Sequence, residues 1–209
     1  MSHVVLLGDS IFDNASYVSG GPPVIEQLRK KLPAGWQATL LAVDGDSTTD
    51  VSGQLAHLPA DATHLFVSAG GNDALRQSDI LHESARSITE VLARFADVQA
   101  GFRRDYRQML QRVLSYGKPT AVCTVYDSIP GLERSAVTTL SVFNDVILRE
   151  AFSAKVPVID LRLVCDDASD YSAVSPIEPS VAGGEKIVRA IVSVVTEHNF
   201  TVHRSAVFA

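Results

Sequence analysis

Three apolar, β-branched runs in the first third of the chain each close on a knot of small polar turn residues, and this repeated punctuation limits the possible folds. Residues 3–7 run into Gly8-Asp9-Ser10, residues 37–43 into Asp44-Gly45-Asp46, and residues 64–68 into Ala69-Gly70-Gly71-Asn72-Asp73. The intervening stretches read as helices, one opened by Pro22-Pro23 and reaching about residue 32, the other running from Thr48-Thr49-Asp50 to about residue 58. Downstream the pattern predicts a helical region over about 81–116 with a break near Ala100-Gly101. A fourth strand follows over 119–125, then a turn-rich stretch 126–131, a helix over 134–154, a fifth strand over 156–161 and a last helix over 181–197. Strands that alternate with helices and are apolar on both faces predict an α/β domain whose five-stranded parallel sheet is covered on both sides.

With 46% hydrophobic residues the 209-residue chain has material for one sizeable core. No repeat or linker divides it, so residues 1–209 are expected to form a single domain. The longest candidate loop, 162–180, exceeds the usual length of a structureless connection, and such loops are commonly functional. The tail over 199–209 is mixed in polarity and is open to packing, swapping or fraying.

The composition narrows the function classes. A net charge of −6 without a Lys/Arg cluster gives no footprint for nucleic acid or an anionic membrane surface. No apolar run approaches the ~18 residues of a membrane span. The first residues lack the basic and apolar regions of a secretory signal, and Cys123 and Cys165 lie far apart without metal-ligand spacing. Reduced thiols and a cytoplasmic location are therefore expected. No metal-ligand cluster and no lysine-bearing phosphate loop is present in the sequence, so no cofactor is expected.

In open α/β sheets, sites form outside the carboxyl ends of the strands. Three polar strand ends there bring together a hydroxyl (Ser10), an unobstructed backbone amide (Gly45) and a side-chain amide (Asn72). That is the inventory of acyl transfer: a hydroxyl attacks a carbonyl carbon, and fixed N–H groups receive the charge that grows on oxygen. Taken singly, each motif reads equally well as a turn or a helix cap.

Together the blocks Val5-Leu6-Leu7-Gly8-Asp9-Ser10, Asp44-Gly45-Asp46-Ser47-Thr48-Thr49 and Gly70-Gly71-Asn72-Asp73, with the helix-opening Pro179-Ser180-Val181-Ala182-Gly183-Gly184, make the chain resemble the SGNH/GDSL hydrolase family. The resemblance spans nearly the whole chain. It implies a flavodoxin-like three-layer α/β/α sandwich, with Ser10 as nucleophile. The oxyanion hole would be made by the backbone N–H groups of Ser10 and Gly45 and the side chain of Asn72.

The family's last block, Asp-x-x-His ahead of the final helix, is not matched. Ser175 stands at the Asp position and Glu178 at the His position. Glutamate starts about 2 pKa units below imidazole, roughly 3 kcal/mol of proton affinity. Burial would restore basicity, whereas the helix N-terminus would favour the ionised form. Glu178 is thus either the base of a Ser10–Glu178 dyad or a complement to the helix dipole. Two Asp-x-x-His spacings occur elsewhere. Asp61 to His64 precedes the third strand, at the wrong edge of the sheet, whereas Asp79 to His82 follows Asn72 at the correct edge and makes His82 an alternative base. Asp9 reads as a support of the Ser10 turn.

Two functions remain open on these residues. One is a serine ester hydrolase, esterase- or lipase-like, acting on acyl or acetyl esters of a small molecule. The other is a ligand-binding protein on the same fold that keeps the oxyanion pocket and turns over weakly.

Overall fold

All six residues of β1 (His3–Gly8) are buried, as expected of a strand that is apolar on both faces. In the computed structural model, which describes residues 2–209, β1 lies inside a parallel sheet. It pairs on one side with β2 (Gln37–Leu40) and on the other with β3 (His64–Ser68). Beyond β3 come β4 (Thr120–Cys123), β5 (Val158–Ile159) and β6 (Val207–Phe208), giving the order β2-β1-β3-β4-β5-β6. The chain moves outward from β1 to β2 and then returns past it to β3, so the crevice beyond β1 and β3 is the topological switch point.

Alternate side chains of the sheet feed two cores. Val4, Leu6, Phe66 and Ile159 pack with α1 (Val24–Lys31) and α7 (Val181–Glu197). Val5, Leu7, Leu65, Val67 and Val122 pack on the opposite face. That face is covered by α2 (Val51–Gln54), α4 (Ile88–Leu114) and α5 (Arg134–Ala154). The result is the expected three-layer α/β/α sandwich. Two further short helices, α3 (Gly71–Arg76) and α6 (Leu161–Val164), open directly after β3 and β5.

The structure corrects the sequence reading in three places. The sheet has six strands instead of five, because the tail turns back and adds β6 in register, Val158 opposite Val207 and Ile159 opposite Phe208. The ring of His198 meets Phe200 and Phe208 edge-on, which holds that return in place. Secondly, α4 passes through Ala100-Gly101 without a break. Buried Phe102, Tyr106, Met109, Leu110 and Val113 anchor the helix beyond that point, and this packing outweighs the ~1 kcal/mol cost of one interior glycine. The interruption comes earlier: a 3-10 turn over Ser78–His82 stops, and Ser87 then caps α4 by accepting a hydrogen bond from the Glu90 N–H. Thirdly, the 162–180 loop is partly structured. It holds the end of α6 and a 3-10 turn over Ala168–Asp170, and it closes on itself through an antiparallel bridge between Tyr171 and Pro179.

Candidate active site

Gly8 ends β1 with φ +123°, and a Cβ built on it would lie 1.7 Å from the Ser68 carbonyl oxygen. Only glycine fits there, and its bare backbone lets β1 and β3 close against each other at their carboxyl ends. The chain then turns sharply. The Asp9 N–H donates to Ser68 O at 3.1 Å, and the Phe12 and Asp13 N–H groups both donate to Asp9 O. The Asp9 carboxylate accepts from the Ile11 N–H at 3.2 Å, the turn-supporting role expected of it. Ser10 rides on the crest of this turn, and its own N–H makes no hydrogen bond among the described residues.

The second loop is stitched to the first. Val43 N–H donates to Gly8 O and Asp44 N–H to the Asp13 carboxylate, each at 3.1 Å. Gly45 follows at φ +83° with open space where a side chain would stand. Its N–H is likewise without a partner among the described residues. The third loop carries Asn72 in the first turn of α3. One hydrogen of its side-chain NH₂ is donated to Asp46 O at 2.8 Å, and the amide's second hydrogen is available to another acceptor. Asp73 accepts from both the N–H and the hydroxyl of Thr48 at 2.9 Å.

Gln54, which sequence reading passed over, ties all of this together. Its side chain accepts from Gly8 N–H and donates to Gly8 O and to the Asp46 carboxylate, at 2.8, 2.7 and 2.8 Å. Its position on the Val51, Leu55 face of α2 was the available signal, a polar residue at a buried spacing.

Glu178 reaches the site from the other direction, on the turn closed by the Tyr171–Pro179 bridge. Its N–H donates to Ser175 O and its carbonyl accepts from Ser172 N–H. Three further groups pin that turn. Asn14 donates to Pro179 O at 3.1 Å, Tyr126 OH to Ile177 O at 2.6 Å, and Ser172 OH to Tyr17 O at 2.6 Å. Asn14 and Tyr126 are themselves buried and were not foreseen. The turn then feeds α7, whose Gly183 packs so closely that a Cβ there would lie 2.1 Å from Asp170 O.

The carboxylate of Glu178 is buried and shares a pocket with the Ser10 side chain. Burial pushes its pKa up to about 7, the neighbouring Ser10 hydroxyl pulls it down, and the nearby Asp44 charge raises it again. Its Oε2 makes no hydrogen bond among the described residues. Asp9, fully enclosed next to it, is pushed up to about 8, chiefly by burial and further by the charges of Glu178 and Asp73. Of the two competing influences on Glu178, desolvation prevails over the helix N-terminus.

Ser10, Asn72 and Glu178 line one pocket of about 160 Å³, while Gly45 stands outside that lining on the loop that Asn72 clasps. None of the chain's six histidines lines it. His82 is exposed. His3 is bonded to Asp61 and Thr39 at the amino edge of the sheet, and His64 stacks on Trp36. Cys123 and Cys165 are buried free thiols. Among the described residues no three His, Cys, Asp or Glu side chains are grouped to hold a metal ion, and no helix is long and apolar enough to cross a membrane.

Known proteins share this architecture at low sequence identity. The lipase Lip_vut3 from a goat rumen metagenome superimposes with a TM-score of 0.71 at 18% identity, over 90% of this chain and 95% of that one. An extracellular lipase from Streptomyces rimosus gives 0.65 at 19% identity, over 95% of this chain and all of that one. An acetyl xylan esterase from Geobacillus stearothermophilus gives 0.66 at 16%, covering 95% and 96%. At these identities the likeness is one of fold. No curated protein sequence is significantly similar to the chain. Residues 6–186 match the model of the GDSL-like lipase/acylhydrolase family, from the strand that delivers Ser10 to the helix that follows Glu178, and the chain belongs to that family of ester-bond hydrolases.

Proposed function

We propose that this chain hydrolyses carboxylic esters of small molecules through Ser10, with Glu178 as general base where relatives of the motif carry histidine. The reading rests on one observation above the others: the buried carboxylate of Glu178 and the candidate nucleophile Ser10 line the same pocket, with one carboxylate oxygen of Glu178 left without a hydrogen-bond partner among the described residues. A general base works best when its pKa lies near the operating pH, and burial has moved Glu178 from 4.5 into that range.

In the forward step the ionised Glu178 takes the Ser10 proton as Oγ forms a bond to the ester carbonyl carbon. The negative charge passes to the carbonyl oxygen, where the unpaired N–H groups of Ser10 and Gly45 and the remaining Asn72 N–H are the available donors. Collapse of this intermediate breaks the bond to the alcohol oxygen, which leaves with the proton from Glu178. Water then attacks the acyl-serine, Glu178 accepts its proton, and that proton returns to Ser10 Oγ as the acid departs. Asn72 is already anchored through Asp46 O and Ser10 through its turn, so neither needs to reorganise as charge develops. Two free, buried thiols fit a reducing, cytoplasmic setting for this activity.

The test is labelling by a fluorophosphonate together with turnover of short p-nitrophenyl esters by wild type, Ser10→Ala, Glu178→Gln and His82→Ala. Labelling is expected at Ser10. It should be lost in Ser10→Ala, reduced about 10²–10⁴-fold in rate in Glu178→Gln, and retained in His82→Ala. Labelling lost only in His82→Ala would transfer the base to that histidine. No labelling of wild type would leave the pocket as a ligand holder.

A further inference from the structure

The pocket beside Ser10 extends well beyond what proton transfer and oxyanion binding require. It runs from Ser10 between α3, the 3-10 turn over Ser78–His82, the turn after β4 and the start of α5. Its far part is walled by Leu75, Leu81, Ile129, Leu132, Ala136 and Leu140. Two of the polar groups in this lining are already occupied: the Thr139 hydroxyl donates to Ser135 O within its own helix, and the Tyr126 hydroxyl to Ile177 O. In its far part an occupant therefore meets mostly methyl and methylene groups.

We propose, building on the ester-hydrolase reading, that this pocket is the acyl-chain site and that it selects straight chains of about six carbons over acetyl. The two sides of Ser10 differ in kind. On the side of Glu178 lie Asp44, Asp13 and the Tyr17 hydroxyl, which donates to Asp44 at 2.7 Å on an exposed rim. The alcohol must receive its proton from Glu178, and this polar, open rim accommodates it. The acyl chain then has the apolar pocket. The size fits as well, since a protein cavity of about 150 Å³ holds benzene, a six-carbon hydrocarbon, and this one measures about 160 Å³. Each methylene taken out of water favours binding about 4-fold, so the four that separate acetate from hexanoate supply a gain of about 100-fold or more.

The decisive measurement is kcat/KM across p-nitrophenyl esters from acetate to dodecanoate. The expected profile climbs about 100-fold to hexanoate or octanoate and falls beyond. Ala136→Phe, which fills the pocket from α5, should lower the hexanoate-to-acetate ratio at least 10-fold. Leu140→Ala should move the optimum to longer chains, and it carries the test if the phenylalanine variant fails to fold. A flat profile, or one that peaks at acetate, overturns the proposal while leaving Ser10-dependent hydrolysis intact. If no ester is turned over, calorimetry on Ser10→Ala with methyl hexanoate and methyl acetate separates the two readings. Much tighter binding of the hexanoate upholds the acyl site without the catalysis, and equal binding of both overturns it.

Discussion

Glu178 lies just ahead of α7, whose dipole favours a charged carboxylate at the helix start by typically 0.3–1 kcal/mol. Burial acts in the opposite direction and is the larger effect, since one pKa unit corresponds to about 1.4 kcal/mol and enclosure moves carboxylates by several units. The outcome, about 7, is the value a base needs. In the proposed mechanism only the ionised carboxylate accepts the Ser10 proton, so kcat/KM is expected to fall about 10-fold per pH unit below that value and to level off above it. Glu178→Gln should flatten the profile at a low residual rate; a rate–pH curve of both proteins checks this. The substitution of Glu for His was plain in the sequence. Its consequence was not, because the groups that hold the Glu178 turn in place come from Asn14, Tyr126 and the Tyr171–Pro179 bridge, which lie far apart along the chain.

The elements that carry the site divide into strand ends and one long return loop. The strand ends were legible because Gly8, Gly45 and Gly70 interrupt apolar runs, and glycine at positive φ is the chemistry such turns demand. The return loop was legible only as a loop. Its internal turn depends on Asn14, a residue with no local signal, which donates to Pro179 O while accepting from Val24 N–H at 2.9 Å. Asn14→Ala breaks both bonds in a fully buried position. It should cost about 2 kcal/mol of stability and lower kcat about 10-fold with little change in KM, since Glu178 loses its alignment but the acyl pocket keeps its walls. Steady-state kinetics and denaturant titration together read the two effects. The misplaced helix break has a related cause: Gly101 weakens α4 locally, but five buried side chains beyond it decide the matter.

For the molecule as a whole, two enclosed carboxyls at the site carry a stability cost. Glu178 and Asp9 hold protons more tightly folded than unfolded, at about 7 against 4.5 and about 8 against 3.8. Folding therefore takes up protons between those values, and their contribution to stability declines as pH rises through that window. Glu178→Gln removes one of the two penalties. Its Tm should exceed that of wild type by several degrees at pH 8, and the gain should shrink toward zero by pH 4; thermal melts at the two pH values decide it. The sandwich was readable as a whole from alternating elements. The sixth strand escaped because Val207 and Phe208 are a two-residue pairing, held by aromatic contacts with His198 and too short to show a period.

Gly8 presses against Ser68 O and Gly183 against Asp170 O, one beneath the proposed nucleophile Ser10 and the other behind the segment that bears the proposed base Glu178. Every other coded amino acid brings at least a methyl group to those points. In a saturation library selected for ester cleavage, codons 8 and 183 should accept only synonymous change, even though neither residue ever meets the substrate.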